Sequence, residues 1–124
     1  MGYQNFEELE VWKKARELKN EISQLVKKFP SEEKYRLTDQ LIRSSRSINT
    51  QISEGHGRRT WPDRLRFCII ARGSLGETLN HLIDALDEKY ITEEELNYFR
   101  NKINEVEKLL NGYISYLEKK ANGN

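Results

Sequence analysis

Apolar residues recur every three or four positions along nearly the whole chain. In the N-terminal third they fall at Phe6, Leu9, Trp12, Ala15, Leu18, Ile22, Leu25 and Phe29, one face of a helix predicted over about 5–28. Phe29-Pro30 ends it, because proline disfavours a helical residue before it, and Ser31 followed by Glu32-Glu33 reads as the N-cap and acidic first turn of a second helix, about 32–55. That helix carries Leu37, Leu41, Ile48 and Ile52, and Gly55 or Gly57 is placed to take a left-handed C-terminal cap. Thr60-Trp61-Pro62 restarts a helix over about 61–88, with Leu65, Cys68, Leu75, Leu79, Leu82 and Leu86 as its stripe and Ile69, Ile70 and Ile83 widening it. Thr92 to Glu95 has capping-box spacing and opens the last helix, about 93–119, whose seam is Leu96, Phe99, Ile103, Val106, Leu110, Tyr113 and Leu117, fraying at Lys119 to Asn124.

Short connections oblige sequential helices to run antiparallel, so the expected fold is all-α: one up-down-up-down four-helix bundle spanning residues 1–124. Composition agrees. Two prolines and seven glycines are too few for the many turns of a β domain, and 36% apolar with 33% charged residues suits thin amphipathic elements. No run of residues approaches a membrane span, and Met1-Gly2-Tyr3-Gln4-Asn5 has neither the basic start nor the apolar stretch of a signal peptide. The single cysteine, Cys68, permits no internal disulfide; a cytoplasmic protein without membrane association is the expectation.

The net charge of +1 conceals a segregation. Residues 34–72 hold Lys34, Arg36, Arg43, Arg46, Arg58, Arg59, Arg64, Arg66 and Arg72 against Asp39, Glu54 and Asp63, a balance of +6, while residues 1–33 sum to −1 and residues 73–124 to −4. Eight of the nine cations are arginine, whose planar fork suits phosphate and carboxylate. Arg58, Arg59, Arg64 and Arg66 flank the second loop, and Trp61 is expected to supply an exposed aromatic there, of the kind that can stack on a base or anchor a protein partner. A solubilising face is the plainer reading of such a cluster, and the near-neutral total is unlike a dedicated nucleic-acid binder.

Catalytic constellations are missing. Of the paired Glu-x-x-His motifs of di-iron bundles there is none, and the sequence holds no His-Glu-x-x-His and no Walker-type loop. Helical ribonucleases of similar size place a histidine four to six residues after an arginine; here nine residues separate Arg46 from His56 and eight separate Arg72 from His81. Ser44, Ser45, Ser47, Ser74 and Cys68 have no identifiable base, and Cys68 on an apolar stripe reads as a core thiol. No cofactor, metal or catalytic residue is expected.

Polar side chains nevertheless form stripes. The second helix carries Gln40, Arg43, Ser47, Gln51 and Glu54 on one face, and the third carries Arg66, Gly73, Ser74, Glu77 and His81. A hairpin turning near residues 58–59 makes facing positions sum to about 117, which sets Arg43 opposite Ser74 and Gln40 opposite Glu77 and predicts an Arg43–Glu77 ion pair. Gly73 and Gly76, each costing about 1 kcal/mol in a helix interior, point to close approach by another helix of this chain or of a second subunit.

Phe6-x-x-Leu-x-Val-Trp12, Phe29-Pro30 with Glu33 and Tyr35, Gln40-Leu-Ile-Arg43-Ser-Ser-Arg-Ser47-Ile48, Ile52-Ser-Glu54-Gly55 and Ala71-Arg-Gly73-Ser74-Leu75-x-Glu77 follow one another in order. In this the chain, over about residues 4–118, resembles the four-helix-bundle proteins encoded in bacterial 23S rRNA intervening sequences. Gln51 and Ser53 depart from the asparagine and alanine usual there, which bears only on how the polar stripe bonds locally. The resemblance implies a homo-oligomer, characteristically a pentameric ring, with no established enzymatic activity. Relatives are similar to the accessory variability protein of diversity-generating retroelements, a basic pentamer that binds a reverse transcriptase and nucleic acid. By carry-over, Arg43, Ser47, Glu54, Gly73, Ser74 and Glu77 are the family's structural or interface signature.

Two readings follow. In one, the basic segment contacts RNA or DNA phosphates through Arg46, Arg58, Arg59, Arg64, Arg66 and Arg72 with Trp61, and a ring multiplies the contact. In the other the protein is an interaction scaffold, its arginines paired with the acidic first and last helices of neighbouring subunits.

Overall fold

A computed structural model describes residues 5–123 as four antiparallel helices: α1 Glu10–Leu25, α2 Leu37–His56, α3 Trp61–Asp87 and α4 Glu93–Ala121. Met1–Gln4, where a signal sequence was sought, and Asn124 lie outside the described residues. Each helix packs on its neighbours in sequence and α1 closes against α4, with no strand among the described residues.

α1 and α2 are shorter than their periodicity suggests, and local capping explains why. Asn5 and Glu8 form a capping box on a 3-10 turn, Phe6–Glu8, and Leu9 is extended, so α1 begins only at Glu10. At its other end a second 3-10 turn, Val26–Lys28, precedes Phe29-Pro30. Ser31 does not cap α2: Ser31–Glu33 is itself a 3-10 turn, and the Glu33 carboxylate instead accepts from the Leu37 backbone N–H at 3.3 Å. The later helices start where their caps place them. Thr60 Oγ1 accepts from the Asp63 N–H at 3.2 Å, and Thr92 and Glu95 exchange both bonds of a capping box, at 2.9 and 3.1 Å.

The core is a continuous apolar cluster drawn from all four helices, centred on Leu18, Ile22, Leu41, Ile48, Ile52, Leu75, Leu82, Val106, Leu110 and Leu117. Its edges differ from the periodic reading. On α4 the buried position after Leu110 is Ile114, with Tyr113 only half-buried, because a straight helix drifts from a strict seven-residue repeat. Of the three isoleucines that widened the α3 stripe, Ile83 packs against the core, but Ile69 is 45% and Ile70 41% exposed and both point outward. Small and hydroxylated residues, Ala71, Ser74, Thr78 and Ala85, together with His81, complete the inner face instead. Cys68 is buried, and burial pushes its thiol up to about 11, away from nucleophilic chemistry.

Neither Gly55 nor Gly57 is a left-handed cap. Gly57 ends α2 at φ −84°, and Gly55 is buried within the helix, where a Cβ would lie 2.9 Å from Phe67 Cβ and 3.1 Å from the Arg64 carbonyl. This is the position at which α2 and α3 need glycine for close approach. Gly73 and Gly76 have nothing within 4 Å of an added Cβ, so no helix of the chain itself approaches them. The left-handed cap falls at Lys89, φ 64°, after α3, where the Tyr90 N–H reaches back to the Ala85 carbonyl at 2.9 Å.

The α1–α4 side is looser. An open groove of about 880 Å³ lies over Leu25 and Phe99, bridged at its rim by Lys28 and Glu95 at 2.5 Å and by the Tyr98 hydroxyl on Glu21.

Candidate nucleic-acid interface

The antiparallel order brings the end of α2, the start of α3 and the end of α4 to one end of the bundle, and the loop arginines collect there. Arg58 lies over the Phe67 ring at 4.5 Å and pairs with Glu54 at 3.3 Å. Arg66 lies over the same ring at 4.8 Å and pairs with Asp63 at 3.4 Å. Arg64 Nε donates to the Arg58 carbonyl at 2.8 Å, and its guanidinium stands 4.7 Å above Trp61. Lys120, from the last turn of α4, lies 5.8 Å from that indole. Arg59 is exposed beside a surface hollow of about 510 Å³ that it lines with Gly57, Arg58, Thr60 and Asp63. Around the loop these five cations outnumber Glu54 and Asp63, a local positive patch on an end of the bundle that also carries the exposed Glu7, Glu8 and Glu10 at the start of α1 and Glu118 near the end of α4.

Trp61 is not the freely exposed ring expected from sequence. It is half-buried against the core with Tyr116 edge-on at 6.2 Å. Arg46 and Arg72 stand apart from the cluster. Arg46 is exposed on α2 roughly 18 Å along the helix from Arg58, and Arg72 turns toward α4, donating to Asn111 at 2.9 Å.

Of the polar stripe, Ser47 and Ser74 meet across the helix pair at 2.9 Å, extended inward by Thr78 Oγ1, which sits 2.9 Å from Ser44 Oγ and 2.8 Å from the Ser74 carbonyl. The expected Arg43–Glu77 ion pair does not form. Arg43 pairs along its own helix with Asp39 at 3.1 Å, and Glu77 with His81 at 3.3 Å; Gln40 is exposed, and Gln51 buries an Oε1 that accepts no hydrogen bond. Facing positions sum to 121 for Ser47 with Ser74 and 122 for Ser44 with Thr78, rather than about 117. Side chains lean toward the N-terminus of their helix, so in an antiparallel pair each residue meets a partner further along the other chain segment. That lean supplies part of the offset.

Sequence reasoning missed Phe67 and Lys120. Two signals were present: Phe67 follows Arg66 directly, and an up-down order returns the end of α4 to the loop before α3.

Fold and surface together define a four-helix bundle with a basic turn at one end and an outward isoleucine pair on its third helix. Residues 7–112 match the family of 23S rRNA-intervening sequence proteins, and the chain belongs to that family. It is also similar to a crystal structure of a protein with unknown function from the S23 ribosomal protein family of Bacteroides thetaiotaomicron. The two share 29% sequence identity and a TM-score of 0.78, over 85% of this chain and 95% of that one. Among curated proteins nothing matches the sequence. None of the described helices is long and apolar enough to cross a membrane.

Proposed function

We propose that the protein is a non-enzymatic homo-oligomer whose arginine-rich end binds the phosphates of RNA or DNA. The observation that carries this reading is the convergence of Arg58, Arg59, Arg64, Arg66 and Lys120 on one end of the bundle, from three segments of the chain. Guanidinium forks presented together match successive phosphates, and binding of this kind releases counterions. The family's link to an rRNA intervening sequence makes RNA the first polymer to test.

Self-association is supported by a different face. Ile69 and Ile70 are large, apolar and outward, beside Gly73 and Gly76, which leave the α3 backbone open to a neighbour. A pentameric ring, the form the family resemblance implies, would set several basic ends around one axis and raise avidity.

Titration of a labelled RNA 20-mer by fluorescence anisotropy tests the first part. Affinity is expected to fall steeply between about 50 and 200 mM salt, and the double substitution Arg58→Ala/Arg59→Ala to weaken it and flatten that dependence. Absence of binding to RNA and DNA at low salt would overturn the reading. For assembly, light scattering on Ile69→Glu/Ile70→Glu is expected to give a smaller particle. An unchanged mass would instead point to the scaffold alternative, in which Arg46 and Arg72 hold neighbouring acidic helices and their removal dissociates the assembly.

A further inference from the structure

We infer that the basic end reads the sugar–phosphate backbone alone, with Phe67 and Trp61 acting as positioning residues for arginines rather than as stacking platforms for bases; this rests on the nucleic-acid reading above. Aromatic residues in a basic patch ordinarily suggest base stacking, because every base has a π-face to offer. Here the rings are already engaged. Phe67 carries Arg58 at 4.5 Å and Arg66 at 4.8 Å, both within the range of a cation–π contact. Trp61 carries Arg64 at 4.7 Å and Lys120 at 5.8 Å, while its body packs on the core and Tyr116 meets it edge-on. A base stacking on either ring would have to displace the cations that bind its own phosphates.

The same contacts prepare the guanidiniums for phosphate. An arginine loses rotamer freedom when it binds, and that loss is smaller when ring and carboxylate already fix its plane. Arg58 is held by Phe67, by Glu54 and, through its carbonyl, by Arg64. Each fork has five N–H donors, and among the described residues the hydrogen bonds engage Nε of Arg64 and one terminal nitrogen each of Arg58 and Arg66. The remaining donors suit phosphate oxygens. The Glu54 and Asp63 pairs are exposed and weak, so a polyanion can exchange for them.

The test compares two fluorescein-labelled single-stranded 20-mers with equal numbers of phosphates, oligo(dT) and a fully abasic strand, titrated with the full chain across salt concentrations. Backbone reading predicts affinities within about threefold of each other and the same salt slope. An abasic strand bound tenfold or more weakly would show base stacking and overturn the inference while leaving nucleic-acid binding intact. Absence of binding by both strands and by the RNA 20-mer at low salt would overturn the binding reading itself, and this inference with it, whereas RNA bound with neither DNA strand bound would overturn this inference alone, since phosphates would then not suffice. Arg58→Ala should lower the salt slope by about one on both strands. Phe67→Leu should weaken both alike, about three- to fivefold, with the slope retained, because the charges remain and only their placement is lost. Phe67→Tyr, which keeps the ring, should restore affinity. Wild-type binding by the leucine variant, or failure of tyrosine to restore it, would overturn the positioning role.

Discussion

The α2–α3 and α1–α4 seams are built from helices of the same amphipathic kind and close in different ways. Between α2 and α3 a glycine admits direct backbone approach at Gly55, and four hydroxyls, Ser44, Ser47, Ser74 and Thr78, interlock across the interface. Between α1 and α4 the apolar floor of Leu25 and Phe99 stays open as a groove, and the contacts above it come from long side chains, Lys28 to Glu95 and Lys102 to Glu21 at 3.5 Å. The first arrangement tolerates one register, because each short side chain reaches only the partner beside it. The second tolerates several, because lysine and glutamate follow one another across a turn. Specificity in this bundle therefore resides in its smallest residues.

The sharpest way to break that contrast is Gly55→Val. Its side chain would meet Phe67 and the Arg64 carbonyl, and overpacking of this kind costs about 1–3 kcal/mol. Thermal unfolding should show the loss, and tighter-than-expected tolerance would mean that α3 moves aside freely. Next comes Thr78→Val, which keeps the shape and removes the hydroxyl joining Ser44 to the Ser74 carbonyl; a loss of about 1–2 kcal/mol is expected in denaturant titration. Gly73→Ala and Gly76→Ala have the opposite sign. In open space on a helix each should add about 0.5–1 kcal/mol to the stability of the isolated bundle, provided stability is measured where it does not associate.

Smallest is the α1–α4 rim. Lys28→Ala should cost under about 1 kcal/mol, as exposed pairs do. Its trace is clearer in acid. The Lys28 ammonium, aided by the Thr92 backbone N–H, holds the Glu95 carboxyl below its ordinary value of 4.5. The bonus is thus in full above that value and is lost as pH falls through the depressed one. Lys28→Ala should make the acid limb of stability, followed by circular dichroism, shallower.

The fold was legible because its signals are local and redundant: caps at Thr60 and Thr92, a breaker at Phe29-Pro30, and three- and four-residue spacing between them. What escaped depended on the angle at which faces meet. Ile69 and Ile70 have the character of core residues, and only the packing of Ala71, Ser74 and Thr78 inward shows that they are outside. Gly55 and Gly73 look alike as letters, yet one sits under Phe67 and the other in the open. The arginine cluster was visible in the charge count, whereas Phe67 joined it only through the rotation of α3 that sets its ring under Arg58 and Arg66, and Lys120 only once the helix order put α4 beside the second loop. Arg43 and Glu77 were misjudged because each finds a nearer partner one turn away on its own helix.

The arginine patch at the second loop has a kinetic consequence for the nucleic-acid reading. Antiparallel helices cancel their backbone dipoles in pairs, so the field near the second loop comes from side chains: Arg58, Arg59, Arg64 and Arg66 against Glu54 and Asp63, with Glu7, Glu8 and Glu10 on the same end of the bundle. With carboxylates sharing that end, the patch would act on a polyanion only within a Debye length, roughly 8–10 Å, steering the last stage of an approach rather than turning the whole body from afar. On that reading the association rate should fall as added salt shortens this range, before anything changes in the surfaces that finally touch.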